Sequence, residues 1–315
     1  MKKVAQISAA CATMFIFGAL WVPQARADGF TLGDAANFAV LYEGNGNNQL
    51  STTNVTINGN IGIGDPSGVT TAFLSASGGL GATINGNVFY AGAVSPSNSI
   101  NNTTFTGTVT GGNTNVQTDL NTLNKLSSDL GAEAGTNTAI ALSGSGGTQT
   151  IHATSGILTK DASGNIVFNL TSVAFNNNNT LVIDGDGLGH NVVFNISSNA
   201  QFGGAIVLTG GLTADNVLFN FTGGSNLTGG STASLNNNGQ GFLTGIFLDP
   251  NGAMSVVHTN LNGRIFGGDS SNLQIVSGDT INSPASAPEP SSLALLATGM
   301  FGLIGFARRR KVQLA

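Results

Sequence analysis

A hexapeptide that recurs in constant register is the feature that most constrains the fold of this chain. It consists of an apolar pair, Phe, Asn, an apolar residue and a hydroxyl residue, and it occupies residues 166–171, 192–197 and 217–222, with steps of 26 and 25 residues. A period in the twenties with one strand in register is typical of a β-solenoid, in which each coil buries its apolar side by stacking on the next. Phe and Asn alternate across such a strand. We therefore expect Asn169, Asn195 and Asn220 to form a ladder of side-chain hydrogen bonds.

A second repeat supports the same fold. Ile-Asn-Gly-Asn, followed by Ile or Val, occupies residues 57–61 and 84–88, a step of 27 residues. Asn-Gly favours a tight turn or bulge between short strands. We predict a mainly β chain whose body, residues 28–283, is a β-solenoid.

Residues 105–110 carry Thr106, Thr108 and Thr110 at a spacing of two. This spacing predicts three hydroxyl groups on one face of a strand, an array suited to ordered water or a sugar surface. These residues are the candidate ligand or ice face. A solvent-facing strand that merely favours Thr explains the same pattern.

One segment has the residue spacing of a helix and not of a β-strand. Between Val116 and Leu130 the apolar residues recur at spacings of 4, 3, 3 and 4. This predicts an amphipathic α-helix over about residues 115–131, with Gly131 at the C′ position. We expect the helix to lie along the solenoid and cover one of its apolar sides.

The amino-terminal segment, residues 1–27, is typical of a secretory signal peptide. Two lysines precede an apolar core, and Ala25 and Ala27 form a small-x-small cleavage site for signal peptidase. Cys11 lies inside this core and is removed with it. The mature body then has no cysteine, which excludes disulfides, thiolate metal sites and a Cys nucleophile.

The carboxyl-terminal segment has three parts in a fixed order. A Pro-rich linker over residues 284–290 ends in Pro288, Glu289 and Pro290, residues 291–307 form an uncharged apolar run, and residues 308–315 begin with a basic cluster. The apolar run is at the lower limit of length for a transmembrane helix. The basic end is expected to stay in the cytoplasm.

This order resembles the PEP-CTERM sorting tail of bacterial surface proteins, on Pro288, Glu289, Pro290, the apolar helix and Arg308, Arg309 and Arg310. The resemblance implies recognition and processing by an exosortase, a membrane protease. A plain single-span anchor is the alternative. In both cases the body is exported and is anchored at least transiently in the inner membrane. Sorting by an exosortase then implies a final location at the cell surface or in the extracellular matrix.

The charge of the body excludes one class of partner. Residues 28–287 contain three basic and 14 acidic residues, a formal net charge of −11. An acidic, cation-poor surface argues against binding nucleic acid or an anionic membrane surface. The only membrane contact we expect is through the carboxyl-terminal helix.

Two further families are similar to the body. Residues 32–41 and 56–63 look like the opening of bacterial ice-binding-type β-solenoids, in which one long helix flanks the solenoid. Residues 217–221, 245–252 and 263–268 resemble instead the choice-of-anchor A proteins, a group of candidate bacterial adhesins. Both resemblances imply a β-solenoid, but they imply different functions.

The sequence gives little sign of catalysis or of a cofactor. His152, His190 and His258 lack zinc-binding spacing. Asp184 and Asp186 resemble the start of a calcium loop but lack its later ligands, so an ordinary turn is the simpler interpretation and a weak Ca²⁺ site the alternative. A glycosidase would need two facing carboxylates, for which only Asp184 with Asp215 or Asp249 suggests itself.

We therefore predict a non-enzymatic, exosortase-sorted structural protein of the cell surface or extracellular matrix. Its expected partners, besides signal peptidase and exosortase, are an extracellular polysaccharide or a neighbouring cell surface. The first alternative is ice binding, which needs aligned Thr residues on about three neighbouring coils of one flat face. The second is a polysaccharide-active enzyme.

Overall fold

A computed structural model describes the solenoid body of this chain. The described residues are 30–44, 48–65, 73–75, 81–94, 103–142, 144, 146–158, 164–176, 178–197, 200–222, 232–250, 252–268 and 272–284. The chain divides into two compact units, Met1–Pro284 and Ala285–Ala315, and all described residues belong to the first. The predicted signal peptide with Ala25 and Ala27, and the tail from residue 285 onward with its sorting motif, lie outside the described residues. No helix within the described part is long and apolar enough to cross a membrane.

The body consists of 22 described strands and one α-helix, with single 3₁₀ turns at Gly33–Asn37, Ala153–Ser155 and Ala214–Asn216. The helix, α1, spans Thr114–Gly131. The strands before it are β1 (Phe38–Tyr42), β2 (Gln49–Asn58), β3 (Asn60–Ile63), β4 (Phe73–Ser75), β5 (Thr83–Asn85), β6 (Val88–Tyr90), β7 (Thr104–Phe105) and β8 (Val109–Thr110). The strands after it are β9 (Thr136–Leu142), β10 (Thr148–His152), β11 (Ile157–Leu158), β12 (Asn165–Phe175), β13 (Thr180–Asp184), β14 (Asn191–Ile196), β15 (Ala200–Phe202), β16 (Ala205–Thr209), β17 (Val217–Phe221), β18 (Thr232–Leu235), β19 (Leu243–Asp249), β20 (Ala253–Val257), β21 (Asn260–Gly267) and β22 (Leu273–Asn282).

The strands stack in parallel on three faces, which confirms the predicted β-solenoid; only the pair β11 and β12 is antiparallel among the described strands. Face A runs in the order β8, β6, β3, β1, β21, β19, β17, β14, β12 and β9. Face B runs in the order β4, β2, β22, β20, β18, β15, β12 and β9. Face C runs in the order β7, β5, β2, β22, β21, the start of β19, β16, β13 and β10.

The coils do not follow one another in sequence order. The chain enters in the middle of the stack, where β1 lies between β3 and β21, and winds outward to β8. α1 then runs back along face A, and the remaining coils wind inward from the other end until β22 pairs with β2. The first and last coils of the body are therefore neighbours, which a local repeat does not predict.

The predicted repeat places phenylalanine inside and asparagine outside. Phe168, Phe194, Phe219 and Phe247 stack in register with ring centroids 5.2, 5.2 and 4.9 Å apart. This continuous stack forms the centre of the main core. This spacing is close to the distance between neighbouring strands, so rings at equivalent positions stack nearly parallel, with interplanar angles of 17°, 13° and 15°.

The asparagines of the repeat hold α1 against face A. Asn220 Nδ2 donates to Asn195 Oδ1 and to the carbonyl oxygen of Ser127, both at 2.9 Å, and Asn195 Nδ2 donates to the carbonyl of Leu130 at 2.8 Å. The expected ladder is thus present, although the bond from Asn195 to Asn169 is long at 3.5 Å. Both carbonyls lie in the last five residues of the helix, so these amides attach its carboxyl end to the sheet.

α1 covers face A as the apolar spacing predicts. Leu120, Leu123 and Leu130 pack with Val193 and Leu218 in a second core between helix and sheet. The prediction for Gly131 is wrong: this residue is the last in the helix, and the cap is Ala132 with a right-handed backbone. The Ala132 N–H closes a tighter final turn onto Ser128 and Asp129, so the left-handed conformation that favours glycine is not needed.

Candidate functional site

A column of four threonines crosses neighbouring coils of face C. The register pairs Thr104 with Thr83, Thr83 with Thr56, and Thr56 with Thr280. The residues that follow three of them, Ile84, Ile57 and Ile281, are fully buried, so alternation directs the threonine side chains outward. Neighbouring strands lie about 4.8 Å apart, and the hydroxyl groups repeat at that interval.

A row of asparagines runs parallel to this column, two residues further along each strand. Asn85 Nδ2 donates to Asn58 Oδ1 at 2.7 Å, Asn58 Nδ2 to Asn282 Oδ1 at 2.7 Å, and Asn282 Nδ2 to Asn262 Oδ1 at 3.1 Å. All three bonds run in one direction, which fixes the orientation of every amide. An amide has two N–H groups and two lone pairs, so each inner Asn keeps one donor and one acceptor for a ligand.

Together these residues form one surface, which we call the Thr/Asn surface. It consists of residues 56–58, 83–85, 104–106, 260–262 and 280–282, none of which is charged. The three middle coils carry both a threonine of the column and an asparagine of the row, whereas the coil of residues 104–106 has only the threonine and that of residues 260–262 only the asparagine of the row. Such a surface offers many weak donors, acceptors and apolar contacts at a regular spacing, without a pocket.

Of the three predicted threonines, only Thr106 belongs to this surface, because Thr110 lies on β8 of face A. Thr106, Thr108 and Thr110 are all exposed, but β7 ends at Phe105 and β8 begins at Val109, with a bend between them. The prediction of one continuous strand is therefore wrong. The next coil places Phe89 beside Thr110, so the array does not continue there. A role for these residues in ligand binding stays a prediction.

Two of the four threonines in the column could have been identified from the sequence alone. Thr56 and Thr83 directly precede the Ile-Asn-Gly-Asn repeat, so the shared motif is Thr-Ile-Asn. Thr280 begins the same tripeptide more than 220 residues after Thr56. Only the pairing of β2 with β22 brings it into the column.

Face B offers a second open surface with different chemistry. Its central outward row, read across neighbouring strands, is Ser75, Ser51, Gln274, Ser255, Ser234, Gln201, Ala174 and Ala141. We call it the Ser/Gln row. Small and long side chains alternate irregularly along it, so it is a less regular template than the Thr/Asn surface.

A histidine and two aspartates meet at the opposite end of face C. His152 Nδ1 lies 2.9 Å from Asp186 Oδ1 and 3.8 Å from Asp184 Oδ2. The hydrogen bond to Asp186 raises the pKa of His152, and hydrogen bonds from Thr154 and His152 lower the pKa of Asp186 to about 2. The sequence singled out the two aspartates but missed His152. Its place is set by the register of β10 and β13, which pairs it with Asp184.

The two carboxylates considered as partners of Asp184 in glycoside hydrolysis are already paired or buried. Asp215 forms an ion pair with Arg264, which also donates to the carbonyls of Ala36 and Pro284. Asp249 is fully buried, and burial raises its pKa to about 8. These environments do not favour either residue as a catalytic partner of Asp184.

Comparisons with known proteins agree on the fold and on the tail. A family model described as "Putative Ice-binding-like adhesive domain" matches residues 26–276, and the PEP-CTERM protein-sorting motif matches residues 286–311. No curated protein matches the chain.

Several solved ice-binding proteins share the architecture. The protein from the Antarctic ascomycete Antarctomyces psychrotrophicus is 17% identical with a TM-score of 0.53, over 82% of this chain and 100% of that one. One from an Arctic yeast is 17% identical with a TM-score of 0.51, over 85% and 98% of the two chains. An ice-binding protein domain of Shewanella frigidimarina is 15% identical with a TM-score of 0.51, over 81% and 97%. Identities this low establish a shared fold only.

Proposed function

Because the chain belongs to the family of ice-binding-like adhesive domains and ends in a PEP-CTERM motif, we propose that it is an adhesin whose Thr/Asn surface binds an ordered extracellular polysaccharide. The sorting motif implies an exported protein that an exosortase processes at the membrane. The observation that carries the proposal is the register of Thr104, Thr83, Thr56 and Thr280 on four neighbouring coils.

The chemistry of the surface suits a polymer of sugars. Sugar hydroxyl groups both donate and accept hydrogen bonds, as do threonine hydroxyls and asparagine amides. The Thr/Asn surface carries no charge, although residues 28–287 have a net charge of −11, so a neutral or acidic polymer meets no like charge within it. Individually weak contacts that repeat along both partners add up by multivalency.

A pair of substitutions on one strand tests this proposal. Thr56→Tyr places a bulky ring in the middle of the threonine column, whereas Ser51→Tyr places the same ring on the Ser/Gln row, and both residues belong to β2 and are half-buried. The body, residues 28–284, is incubated with polysaccharide from the host matrix and sedimented. We expect Thr56→Tyr to reduce affinity at least about tenfold, which corresponds to about 1.4 kcal/mol.

Ser51→Tyr is the control for this test of the Thr/Asn surface. Ser51→Tyr should bind like the unchanged body, because its side chain points away from the Thr/Asn surface. If both variants bind equally well, or if only Ser51→Tyr loses affinity, the Thr/Asn surface is not the binding site.

Ice binding is the second candidate, and the same column favours it. Four neighbouring coils carry aligned threonines on an uncharged surface, and ice binding was expected to need alignment over about three. Thermal hysteresis and crystal shaping by the body, compared with Thr56→Tyr and Ser51→Tyr, test it directly. Hysteresis that Thr56→Tyr abolishes would establish ice as a ligand, and the absence of hysteresis in the unchanged body would remove this candidate.

The location of the mature protein forms a separate part of the proposal. We expect exosortase to release the body to the cell surface or matrix, and replacing Pro288, Glu289 and Pro290 by alanine to keep it in the membrane fraction. Fractionation of the host with intact-mass analysis measures this. Full-length protein in the membrane for both forms would indicate a plain anchor.

A further inference from the structure

We propose that His152, Asp184 and Asp186 bind one divalent transition-metal ion, independently of the Thr/Asn surface. Nδ1 of His152 and one oxygen from each carboxylate lie within 4.8 Å of one another. They come from adjacent strands and from the turn that follows β13. Three such atoms on one side of an ion leave the solvent side open for water or another oxygen ligand.

Each carboxylate has one oxygen held in place and the other directed at the histidine. Asp186 Oδ2 accepts from the backbone N–H and the hydroxyl of Thr154 at 2.9 and 2.8 Å, and its Oδ1 faces His152. Asp184 Oδ1 accepts from the N–H of Asp186 at 3.0 Å, which leaves Oδ2 on the side of His152. Outer hydrogen bonds of this kind orient metal ligands.

The backbone conformation around the site allows the two carboxylates to lie close to the His152 ring. Asp186 has a positive φ of 51°, an uncommon conformation for a residue other than glycine. It turns the second carboxylate back toward β10. Gly210 on the next coil is also in the left-handed region, and a side chain there would collide with Asp184 Oδ1.

The donor set indicates which kind of ion fits. An imidazole nitrogen with two carboxylates is typical of zinc, manganese or iron, whereas Ca²⁺ takes six to eight oxygen ligands. We therefore propose a transition-metal ion for this cluster, and the weak calcium site considered from the sequence stays a prediction that the same titration tests.

Isothermal titration of the full chain in detergent with zinc chloride tests the proposal. We expect one zinc ion per chain at neutral pH, with weaker binding at acidic pH because a proton competes for Nδ1. His152→Ala and Asp184→Asn should each reduce affinity about tenfold or more. Asp184→Asn keeps the acceptor for the Asp186 N–H, so it separates the loss of a ligand from a loss of the turn.

His190→Ala is the matched control, since His190 lies in the loop directly before β14 and does not belong to this cluster. It should bind zinc like the unchanged chain. The proposal is overturned if the unchanged chain binds no zinc, if His152→Ala binds it equally well, or if Ca²⁺ binds with equal affinity without requiring His152.

Discussion

The asparagine ladder predicts a sharp difference between two chemically identical substitutions. Asn220→Ala removes a fully buried amide that joins the sheet to α1, whereas Asn169→Ala removes the half-buried amide two coils away. Both are rungs of one ladder, so the change in side-chain size and helix or strand propensity is the same. The difference in stability then reports on burial and hydrogen bonding.

The expected magnitudes follow from the contacts. Asn220 loses two donated bonds of 2.9 Å and the bond that it accepts from the Ser127 hydroxyl. At about 0.5–1.5 kcal/mol for each bond, with buried partners left behind, we expect a loss of about 2–4 kcal/mol. Asn169 makes bonds of only 3.4 and 3.5 Å, so Asn169→Ala should cost less than about 1 kcal/mol.

Urea unfolding of the body, followed by circular dichroism, measures both values. In Asn220→Ala the helical signal should also be lost at a lower urea concentration than in the unchanged protein. Equal losses for the two variants, or a loss below about 0.5 kcal/mol for Asn220→Ala, would show that the ladder does not hold the helix.

Three further predictions concern the core and its buried charges. Phe219→Ala empties the middle of the phenylalanine stack and should cost about 3–5 kcal/mol in urea unfolding, whereas Phe219→Leu should cost less than half of that. Burial raises the pKa of Asp249 from 3.8 to about 8, so its protonated form is favoured in the folded state. The free energy of unfolding should therefore fall as pH rises from about 4 to about 8. Asp249→Asn should reduce that fall, as measured by urea unfolding at several pH values. Asp215→Asn leaves buried Arg264 without its carboxylate and should cost about 3 kcal/mol in thermal unfolding, whereas Asp129→Asn at an exposed ion pair should change stability by less than about 0.5 kcal/mol.

The sequence predicted the parts of the fold that depend on neighbouring coils. Phe168, Phe194 and Phe219 are each separated by the length of one coil, so these phenylalanines had to align in neighbouring strands. The asparagines that alternate with them had to form a ladder for the same reason. The helix followed from its own apolar spacing. The repeat and the apolar spacing of the helix are local patterns, and each is recognisable within a segment about one coil long.

The parts that the sequence did not predict depend on long-range pairing. Nothing near Val40 indicates that it pairs with Ile265, because each strand is equally compatible with any apolar neighbour in the stack. The equally long-range pairing of β2 with β22 adds Thr280 to the column that begins with Thr56 and Thr83. His152 and Asp184 likewise meet only through the register of two strands that carry no shared motif.

The most direct test of the proposed binding surface uses the last strand of the body. Thr280 and Gln274 both lie on β22, but Thr280 belongs to the Thr/Asn surface and Gln274 to the Ser/Gln row. Affinity of the body for matrix polysaccharide is measured for Thr280→Tyr and Gln274→Tyr. We predict that Thr280→Tyr loses as much affinity as Thr56→Tyr, although the two residues lie at opposite ends of the chain, and that Gln274→Tyr loses none. Full binding by Thr280→Tyr would contradict a ligand surface assembled from both ends of the chain.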